Sequence, residues 1–383
     1  MAREVTGLPL AARCHPSPSL PVALPHHLEA LFAEGLLQRQ RGVRGRFAPS
    51  PSGALHLGNL RTALLSWLQA RSSGGEWLLR IDDLDTPRNR SGAEESIVDH
   101  LRWLGLDWDG PLIRQSQRRG LYSGVLSALR RQGWLYPCRC SRRMLADISA
   151  PHGGQPVYPG TCRTAGHGWG PQQGRLPSWR LRMPAGPLAW REPGIGAEER
   201  WLWLEGHREV GDVVLRRADG FLAYHLATAI DELTLGISEI VRGEDLRDST
   251  AAQVGVMAML GAEAPRYWHV PLWREAAGRR LSKRDGDGGV VAWRRQGGDA
   301  AGLIGALAAS LGWLPAGTRI SARELLQGPA VQGLASLRNL SGSDASKLAR
   351  VWTSKQDPRG CDDHHHPDLS PTATGGEPHR GHV

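Results

Sequence analysis

From residue 44 onward, the apolar positions of the chain alternate between short continuous runs and runs at helical spacing. The first of them predict a short strand near residue 46, a turn rich in Pro, Ser and Gly, and a helix that begins near Gly58 and extends to Leu68. Strands that alternate with helices predict an α/β fold in which a parallel sheet carries helices on both faces. Further strands are predicted at 77–81, 134–138, 212–217, 221–226, 238–242 and 267–273, and further helices at 93–104, 120–131, 249–260 and 299–313. We expect caps at two helix starts, a capping box of Ser91 with Glu94 and a cap at Ser249.

Residues 138–211 interrupt this alternation. They are rich in Gly and Pro and contain five tryptophans, which predicts an insertion into the sheet domain. A short amphipathic helix is predicted at 28–37 within an N-terminal region that otherwise lacks periodicity. The predicted regions are therefore a disordered extension (1–43), the first half of the sheet domain (44–137), the insertion (138–211), the second half (212–298), a helical stem (299–350) and a disordered tail (351–383).

Two loops follow predicted strands at one edge of the sheet. Residues 50–56 and 82–85 lie directly after the first two strands, and such sheets bind their ligands at the carboxyl ends of the strands. His56 precedes a helix whose first amides have no intrahelical partner and attract an anion such as phosphate. Taken alone, this motif is equally typical of a surface turn with a solvated histidine.

A cationic segment, Arg280-Leu281-Ser282-Lys283-Arg284, follows the predicted strand at 267–273. It could close over a polyphosphate, although such a segment alone is more often a solvated basic turn.

Composition narrows the class of protein. The 383 residues have a formal net charge of +9, which favours a polyanionic partner such as nucleic acid. No apolar run approaches the roughly 20 residues that span a bilayer, so we expect a soluble protein with no membrane partner. The cysteines are odd in number and three of them cluster, which favours a reduced, cytoplasmic compartment and a metal site over disulfides.

Together, these segments resemble one enzyme family. His56-Leu57-Gly58-Asn59 and 280–284 resemble the HIGH and KMSKS signatures of class I aminoacyl-tRNA synthetases. Residues 46–53, 80–85 and 240–245 are similar to the glutamate-specific branch of that class. The resemblance covers roughly residues 44–314 in one consistent order, and it implies a Rossmann-type catalytic domain.

The resemblance also implies roles for residues. His56 and Lys283 would be catalytic, and Asp82 would meet the substrate ammonium in place of the family's glutamate. Asp82 is one methylene shorter, so a backbone shift, a bridging water, or Asp83 and Asp85 could compensate. Arg280 and Arg284 also depart from the family signature. The glutamate site would consist of Arg46, Phe47, Ala48, Pro49, Ser50, Asp82, Tyr224 and Arg242, and the ATP site of His56, Gly58, Asn59, Ser282 and Lys283.

The clustered thiols fit the metal site of the same family. Cys138, Cys140 and Cys162 would bind one structural Zn²⁺, and the resemblance implies Tyr158 as the fourth ligand. His152, His167 or water are alternatives, and three unrelated buried thiols are the simplest alternative to a metal site. Mg²⁺ is expected with ATP, bound largely by ATP oxygens and water.

Only about a hundred residues follow Lys283, so a large anticodon-binding domain is not expected. This pattern resembles the glutamyl-Q tRNA(Asp) synthetase family. The resemblance implies a monomer that activates glutamate with ATP without tRNA and transfers it to queuosine in the anticodon arm of tRNA(Asp). Two alternatives are a truncated glutamyl-tRNA synthetase that charges tRNA(Glu), and a non-catalytic RNA- or zinc-binding relic.

Overall fold

The computed structural model describes residues 22–141, 143–145, 157–193, 199–272, 289–328, 334 and 350–351. In this part of the chain the helices are α1 His26–Arg41, α2 Leu57–Ser72, α3 Ala93–Trp103, α4 Arg119–Arg131, α5 Tyr224–Thr234, α6 Asp248–Met259, α7 Val290–Arg295, α8 Ala300–Ala309 and α9 Ala322–Gln327. Short 3₁₀ turns lie at Thr86–Arg88, Gln115–Arg118 and Glu244–Leu246, and a π-helical turn lies at Gly206–Val210. None of these helices combines the length and the apolar character needed to cross a bilayer.

The strands form a central parallel arrangement. Its strands are β1 Arg44–Phe47, β2 Glu76–Ile81, β3 Ile113–Arg114, β9 Glu239–Gly243 and β10 Arg266–Val270. β1 pairs in parallel with β2, β2 with β3, and β9 with β10. The two groups meet where the Ser238 amide donates to the Arg44 carbonyl oxygen at 3.0 Å. The predicted α/β fold is thus confirmed, with β1 and β9 side by side.

The insertion adds antiparallel pairs. β6 Pro187–Pro193 joins β10 and pairs with β7 Glu199–Glu205, which also pairs with β11 Arg350–Val351. A separate sheet contains β4 Leu135–Cys138, β5 Ser178–Leu181 and β8 Val214–Arg216 in the order β4-β5-β8. The prediction that the strands near 134–138 and 212–217 belong to the parallel sheet was wrong, because both pair antiparallel with β5.

Apolar side chains of β2 alternate between two cores. Leu79 and Ile81 pack with Leu64 of α2, together with leucines of α3 and α8. Leu78 points the opposite way and packs with Ile240 and Val254. Helices therefore cover both faces of the parallel strands, as the sequence predicted, and the period-2 burial of β2 is the physical reason.

Several local predictions need correction. The helix at 93–104 forms, but its N-cap is Gly92 at φ 74°, without a side-chain cap, so the Ser91–Glu94 capping box is wrong. The predicted Ser249 cap is wrong as well, because α6 begins at Asp248 and has no side-chain cap. The strand predicted at 221–226 is wrong: Leu222 forms only an isolated bridge with Arg216, and α5 begins at Tyr224 and carries its apolar residues at helical spacing.

Residues 26–41, within the extension predicted to be disordered, form a helix longer than the one predicted at 28–37. α1 packs closely against the end of α5, because a Cβ at Gly35 would overlap the carbonyl oxygen of Leu233. The predicted tail at 351–383 lies, apart from Val351, outside the described residues.

Candidate active site

A cavity of about 290 Å³ lies at the carboxyl ends of β1, β2 and β9. Parallel strands expose their terminal loops at one edge, so residues distant in sequence meet there. All predicted glutamate- and ATP-binding residues that the structure describes line this cavity: Arg46, Phe47, Ala48, Pro49, Ser50, His56, Gly58, Asn59, Asp82, Tyr224 and Arg242.

His56 is the N-cap of α2. Its Nδ1 accepts a hydrogen bond from the Asn59 amide at 3.2 Å, so the neutral ring carries its proton on Nε2. Gly58, Asn59 and Thr62, in the first turns of the helix, also line the cavity. The cavity therefore meets the amino end of a helix, where backbone amides and the helix dipole favour an anion.

Arg46 is buried and already holds a carboxylate. Its Nε donates to Glu232 Oε1 at 2.9 Å, and its Nη1 donates to the Val241 carbonyl oxygen at 3.4 Å. Glu232 has no exposed surface, and the Arg46 and Arg80 guanidiniums outweigh the effect of burial and lower its pKa. The pair fixes the Arg46 side chain beside the cavity.

Asp82 follows β2 and is held by Arg80. Arg80 Nε and Nη2 donate to the two carboxylate oxygens of Asp82 at 2.7 and 3.2 Å. Burial raises the pKa of the Asp82 carboxyl to about 6, and the Arg80 guanidinium opposes that rise. Asp83 and Asp85, named as possible substitutes, have other contacts: Asp83 accepts from the Ser116 amide, and Asp85 accepts from Arg88.

Arg242 is only 3 % exposed. Its guanidinium donates to Gln253 Oε1 at 2.8 Å, to Thr250 Oγ1 at 2.6 Å and to His269 Nε2 at 3.3 Å. All three partners are uncharged groups, in contrast to the carboxylate that pairs with Arg46. A guanidinium has five N–H donors, so two remain for a ligand in the cavity.

Tyr224 is the first residue of α5 and is 38 % exposed. Its side chain also lines a second, larger cavity of about 880 Å³. The two cavities share the wall formed by Ser50, Asp82, Asp85, Arg88 and Tyr224. A second molecule in the larger cavity would therefore be adjacent to a ligand in the smaller one.

Ser282 and Lys283 lie outside the described residues, as do Arg280 and Arg284. The described residues on either side of this segment are anchored at the smaller cavity. Before it, the Leu272 amide donates to Glu244 Oε1 at 3.1 Å, and Leu272 lines the cavity. After it, Gly289 forms an antiparallel bridge with His56.

The predicted metal ligands come together beside β4. The sulfur atoms of Cys138, Cys140 and Cys162 lie within 4.8 Å of one another. The Tyr158 hydroxyl is 3.5 Å from the Cys138 sulfur and 3.6 Å from that of Cys140. A tetrahedral zinc site with bonds of about 2.3 Å places its sulfur atoms roughly 3.8 Å apart, so these residues fit such an ion. His167 is not part of the described cluster, and His152 lies outside the described residues.

Sequence reasoning missed the buried groups behind the cavity. Asp231 and Glu232 on α5 are fully buried, and Asp231 accepts from Gln115, Arg118 and Tyr122. Two adjacent carboxylates inside an otherwise apolar helical run were a usable signal, because buried charges need partners. His269 and Glu192, which lie behind Arg242, gave no comparable local signal.

Comparison with known proteins was consistent with this geometry. The family described as "tRNA synthetases class I (E and Q), catalytic domain" matches residues 42–328. A glutamyl-Q tRNA(Asp) synthetase of Prochlorococcus marinus (strain MIT 9313) is 55 % identical over 79 % of this chain and 93 % of that protein. The protein of the same name from Parasynechococcus marenigrum is 54 % identical, with 81 % of this chain and 98 % of that protein covered.

Among solved structures, a glutamate tRNA ligase from Elizabethkingia meningosepticum, in complex with its amino acid, is 29 % identical with a TM-score of 0.59. The match covers 74 % of this chain and 64 % of that ligase. The fold, the cavity and the similarity over most of the chain agree. The chain belongs to the glutamate- and glutamine-type class I tRNA synthetases and, within them, to the glutamyl-Q tRNA(Asp) synthetase family.

Proposed function

We propose that this enzyme activates glutamate with ATP, without tRNA, and transfers the glutamyl group to queuosine at the wobble position of tRNA(Asp). The proposal rests mainly on Arg242. This buried cation lines the cavity and donates hydrogen bonds to uncharged partners. A buried charge is costly unless an opposite charge joins it, so this guanidinium favours a carboxylate ligand. The acceptor, queuosine in tRNA(Asp), is inferred from the names of relatives at 54–55 % identity.

In the activation step, Arg242 would bind the side-chain carboxylate of glutamate through its two remaining N–H groups. Arg46 is already paired with Glu232, so it would add a weaker positive potential to the glutamate site than an unpaired arginine. Ionised Asp82 would hold the substrate ammonium, and Tyr224 would border the bound amino acid. The reacting carboxylate would thereby be positioned for in-line attack on the α-phosphorus of ATP.

Attack by that carboxylate forms the bond to the α-phosphorus and breaks the bond to pyrophosphate, which leaves. Negative charge grows on the phosphoryl oxygens, and His56 together with the first amides of α2 would stabilise it. Lys283 is proposed as the cation for the same charge, with Ser282 next to it in sequence, because the described residues on both sides of the segment are anchored at the cavity. Mg²⁺ bound with ATP would supply further charge neutralisation, held largely by ATP oxygens and water.

In the transfer step, a hydroxyl of the queuosine ring attacks the glutamyl carbonyl, and AMP leaves. The larger cavity offers room for this nucleoside, because it shares a wall with the glutamate site. We also propose that the enzyme is cytoplasmic, because ATP, glutamate and tRNA meet in that compartment, and that it is a monomer, as the resemblance implies.

Zinc is proposed as a structural ion. Cys138, Cys140, Cys162 and Tyr158 would hold it at the end of β4, where it would tie the loop around Tyr158 to the β4-β5-β8 sheet. Arg180 supports this arrangement: its Nε donates to the Cys138 sulfur at 3.2 Å, and its guanidinium lies 3.7 Å from the centre of the Tyr158 ring. These contacts would stabilise a thiolate next to the metal.

The test is glutamylation of tRNA(Asp) with and without queuosine at the wobble position, using purified protein, ATP, Mg²⁺ and labelled glutamate. We expect label only on the queuosine-bearing tRNA, released together with the wobble nucleoside. Label at the 3′ end of tRNA(Glu), run in parallel, would instead identify a truncated glutamyl-tRNA synthetase. If neither tRNA is labelled and glutamate-dependent pyrophosphate exchange is absent, the protein is a non-catalytic relic.

A further inference from the structure

A chain of buried hydrogen bonds leads away from Arg242 across three neighbouring strands. Arg242 on β9 and His269 on β10 are directly paired in the sheet, and β6, which carries Glu192, is the next strand. The exposed fractions of these side chains are 3 %, 4 % and 0 %. Charged and titratable groups this deeply buried are stable only when their hydrogen bonds are arranged consistently.

The direction of each hydrogen bond follows from its donor. An arginine N–H can only donate, so the Arg242 Nε contact at 3.3 Å requires His269 Nε2 to be an unprotonated acceptor. Thr250 accepts from Arg242 at 2.6 Å, and its hydroxyl lies 3.1 Å from the same His269 nitrogen, to which it can donate. A neutral His269 therefore carries its proton on Nδ1.

Glu192 accepts a hydrogen bond from this Nδ1–H group. Its Oε1 lies 2.7 Å from His269 Nδ1 and also accepts from the Trp190 indole at 3.1 Å. Its other oxygen faces Arg247 at 3.3 Å and Arg200 at 3.5 Å, so the carboxylate is fully compensated. Burial lowers the pKa of His269 to about 4 despite Glu192, which keeps the ring neutral at ordinary pH.

We propose that Glu192 and His269 are positioning residues for the amino-acid substrate. Glu192 fixes the tautomer of His269, and His269 fixes the rotation of the Arg242 guanidinium, so that its two remaining N–H groups face the cavity as a fork. Without this support only Thr250 and Gln253 would hold the guanidinium, so it would be less well ordered and ligand binding would include part of the entropic cost of ordering it. The inference rests on the proposed function, because it assumes that Arg242 receives the substrate carboxylate.

The structure offers a matched control on β9, the strand that also carries Arg242. Glu239 on β9 is also a buried carboxylate that accepts from an indole, that of Trp268 at 2.7 Å, and it is also paired with an arginine, Arg266. It does not line either cavity and does not contact His269. Removing its charge should therefore perturb the sheet as much as removing that of Glu192, without affecting Arg242.

The experiment measures glutamate-dependent pyrophosphate exchange and thermal unfolding of the full chain for Glu192→Gln, Glu239→Gln, His269→Gln and His269→Leu. We expect His269→Leu to raise the KM for glutamate by about tenfold or more, and Glu192→Gln by a smaller factor. The kcat and the KM for ATP should stay within about threefold, and glutamine should compete better than in the wild type. His269→Gln, whose amide offers both an acceptor and a donor, should restore most of the affinity.

Two results would overturn the inference. One is an equal rise in the KM for glutamate in Glu192→Gln and Glu239→Gln, which would indicate a general loss of sheet integrity. The other is an unchanged KM for glutamate in both Glu192→Gln and His269→Leu, together with no gain for glutamine. If His269→Leu does not fold, the comparison of Glu192→Gln with its control Glu239→Gln still decides the question. Absence of exchange in the wild type would instead refute the proposed function, so the two failures are distinguishable.

Discussion

Arg46 and Arg242 line the same cavity but differ in their hydrogen-bond partners. We therefore expect replacement of Arg46 mainly to lower the stability of the fold, and replacement of Arg242 mainly to weaken glutamate binding. Replacing Arg46 by Gln leaves Glu232 buried with only Arg80, at 3.4 Å, to compensate it. Removing one member of a buried ion pair costs about 3–5 kcal/mol of unfolding free energy, and the remaining Arg80 places the expected loss near the lower end. Replacing Arg242 by Gln leaves no carboxylate without its partner.

The expected loss for Arg242→Gln is smaller. Its partners are neutral, and Thr250 and His269 keep their contact with each other at 3.1 Å. The variant therefore loses one or two net hydrogen bonds, about 1–2 kcal/mol, and is relieved of a buried cation. Glutamate binding should respond more strongly, because loss of a buried charged contact to the ligand costs about 3 kcal/mol, a roughly hundredfold rise in Kd.

Urea unfolding with and without glutamate measures both quantities. At a glutamate concentration of about 100 times the wild-type Kd, the ligand should add roughly 2.7 kcal/mol to the stability of the wild type. A hundredfold rise in Kd reduces this gain to roughly 0.4 kcal/mol in Arg242→Gln. Arg44→Gln, on the same strand as Arg46 but outside the cavity, is the control and should keep the wild-type gain.

The reasoning would be refuted if Arg242→Gln lost more stability than Arg46→Gln, or if it kept the full stabilisation by glutamate. The first result would mean that Arg242 holds a structural anion. The second would mean that the ligand carboxylate binds elsewhere.

Three further predictions concern other parts of the site. The folded-state pKa of Asp82 is raised to about 6, above its unfolded value, so ionisation of this carboxyl destabilises the folded state as pH rises from about 4 to 6. Urea titrations across this range should show a decline in the free energy of unfolding, and Asp82→Asn should remove that decline. For the same reason, the KM for glutamate should rise as pH falls through about 6, and a pH-independent KM would contradict the assignment of Asp82 to the ammonium. His56→Asn keeps an N-cap acceptor for the Asn59 amide, so stability should change by less than about 0.5 kcal/mol while kcat for pyrophosphate exchange falls by about 10²-fold. His56→Ala should lose both stability and kcat. Equal kcat in the wild type and His56→Asn would exclude a catalytic role for His56. Metal analysis should find zinc bound to the wild type and much less in Cys162→Ser, which should also have a lower melting temperature. A wild type without zinc, or an unchanged metal content in the variant, would refute the proposed ligand set.

Local patterns in the sequence were sufficient for much of the site. The strand, turn and helix around His56 were predicted because periodicity and turn chemistry act over a few residues. The clustering of the cysteine sulfur atoms was also predicted, although only the fold brings Cys162 to Cys140, which lies 22 positions earlier. The carboxyl ends of β1 and β2 followed from the alternation of strands and helices, which predicted that the loops 50–56 and 82–85 lie together, and residues of both loops line one cavity.

Predictions of secondary structure and strand pairing were wrong where a local sequence pattern is compatible with two structures. Apolar residues at 221–226 are compatible with a strand, but the helical spacing that continues to Leu233 decides for α5. The strand at 134–138 was recognised, yet the direction of its pairing depends on β5, which follows 40 residues later. Neither strand direction nor cap geometry is encoded by apolar periodicity alone.

The sequence by itself located the strand ends and the helix start at which the cavity lies, because these signals are local, while the roles predicted for Arg46, Tyr224 and Arg242 came from the resemblance to the family. Only the tertiary structure decided how those residues are paired. Arg46 meets Glu232 across 186 positions, and Glu192 meets His269 across 77. With 47 basic and 38 acidic residues in the chain, many such pairings satisfy charge balance. Strand order and helix packing select among them, because a buried charge is stable only with the partner that the fold places within hydrogen-bonding distance.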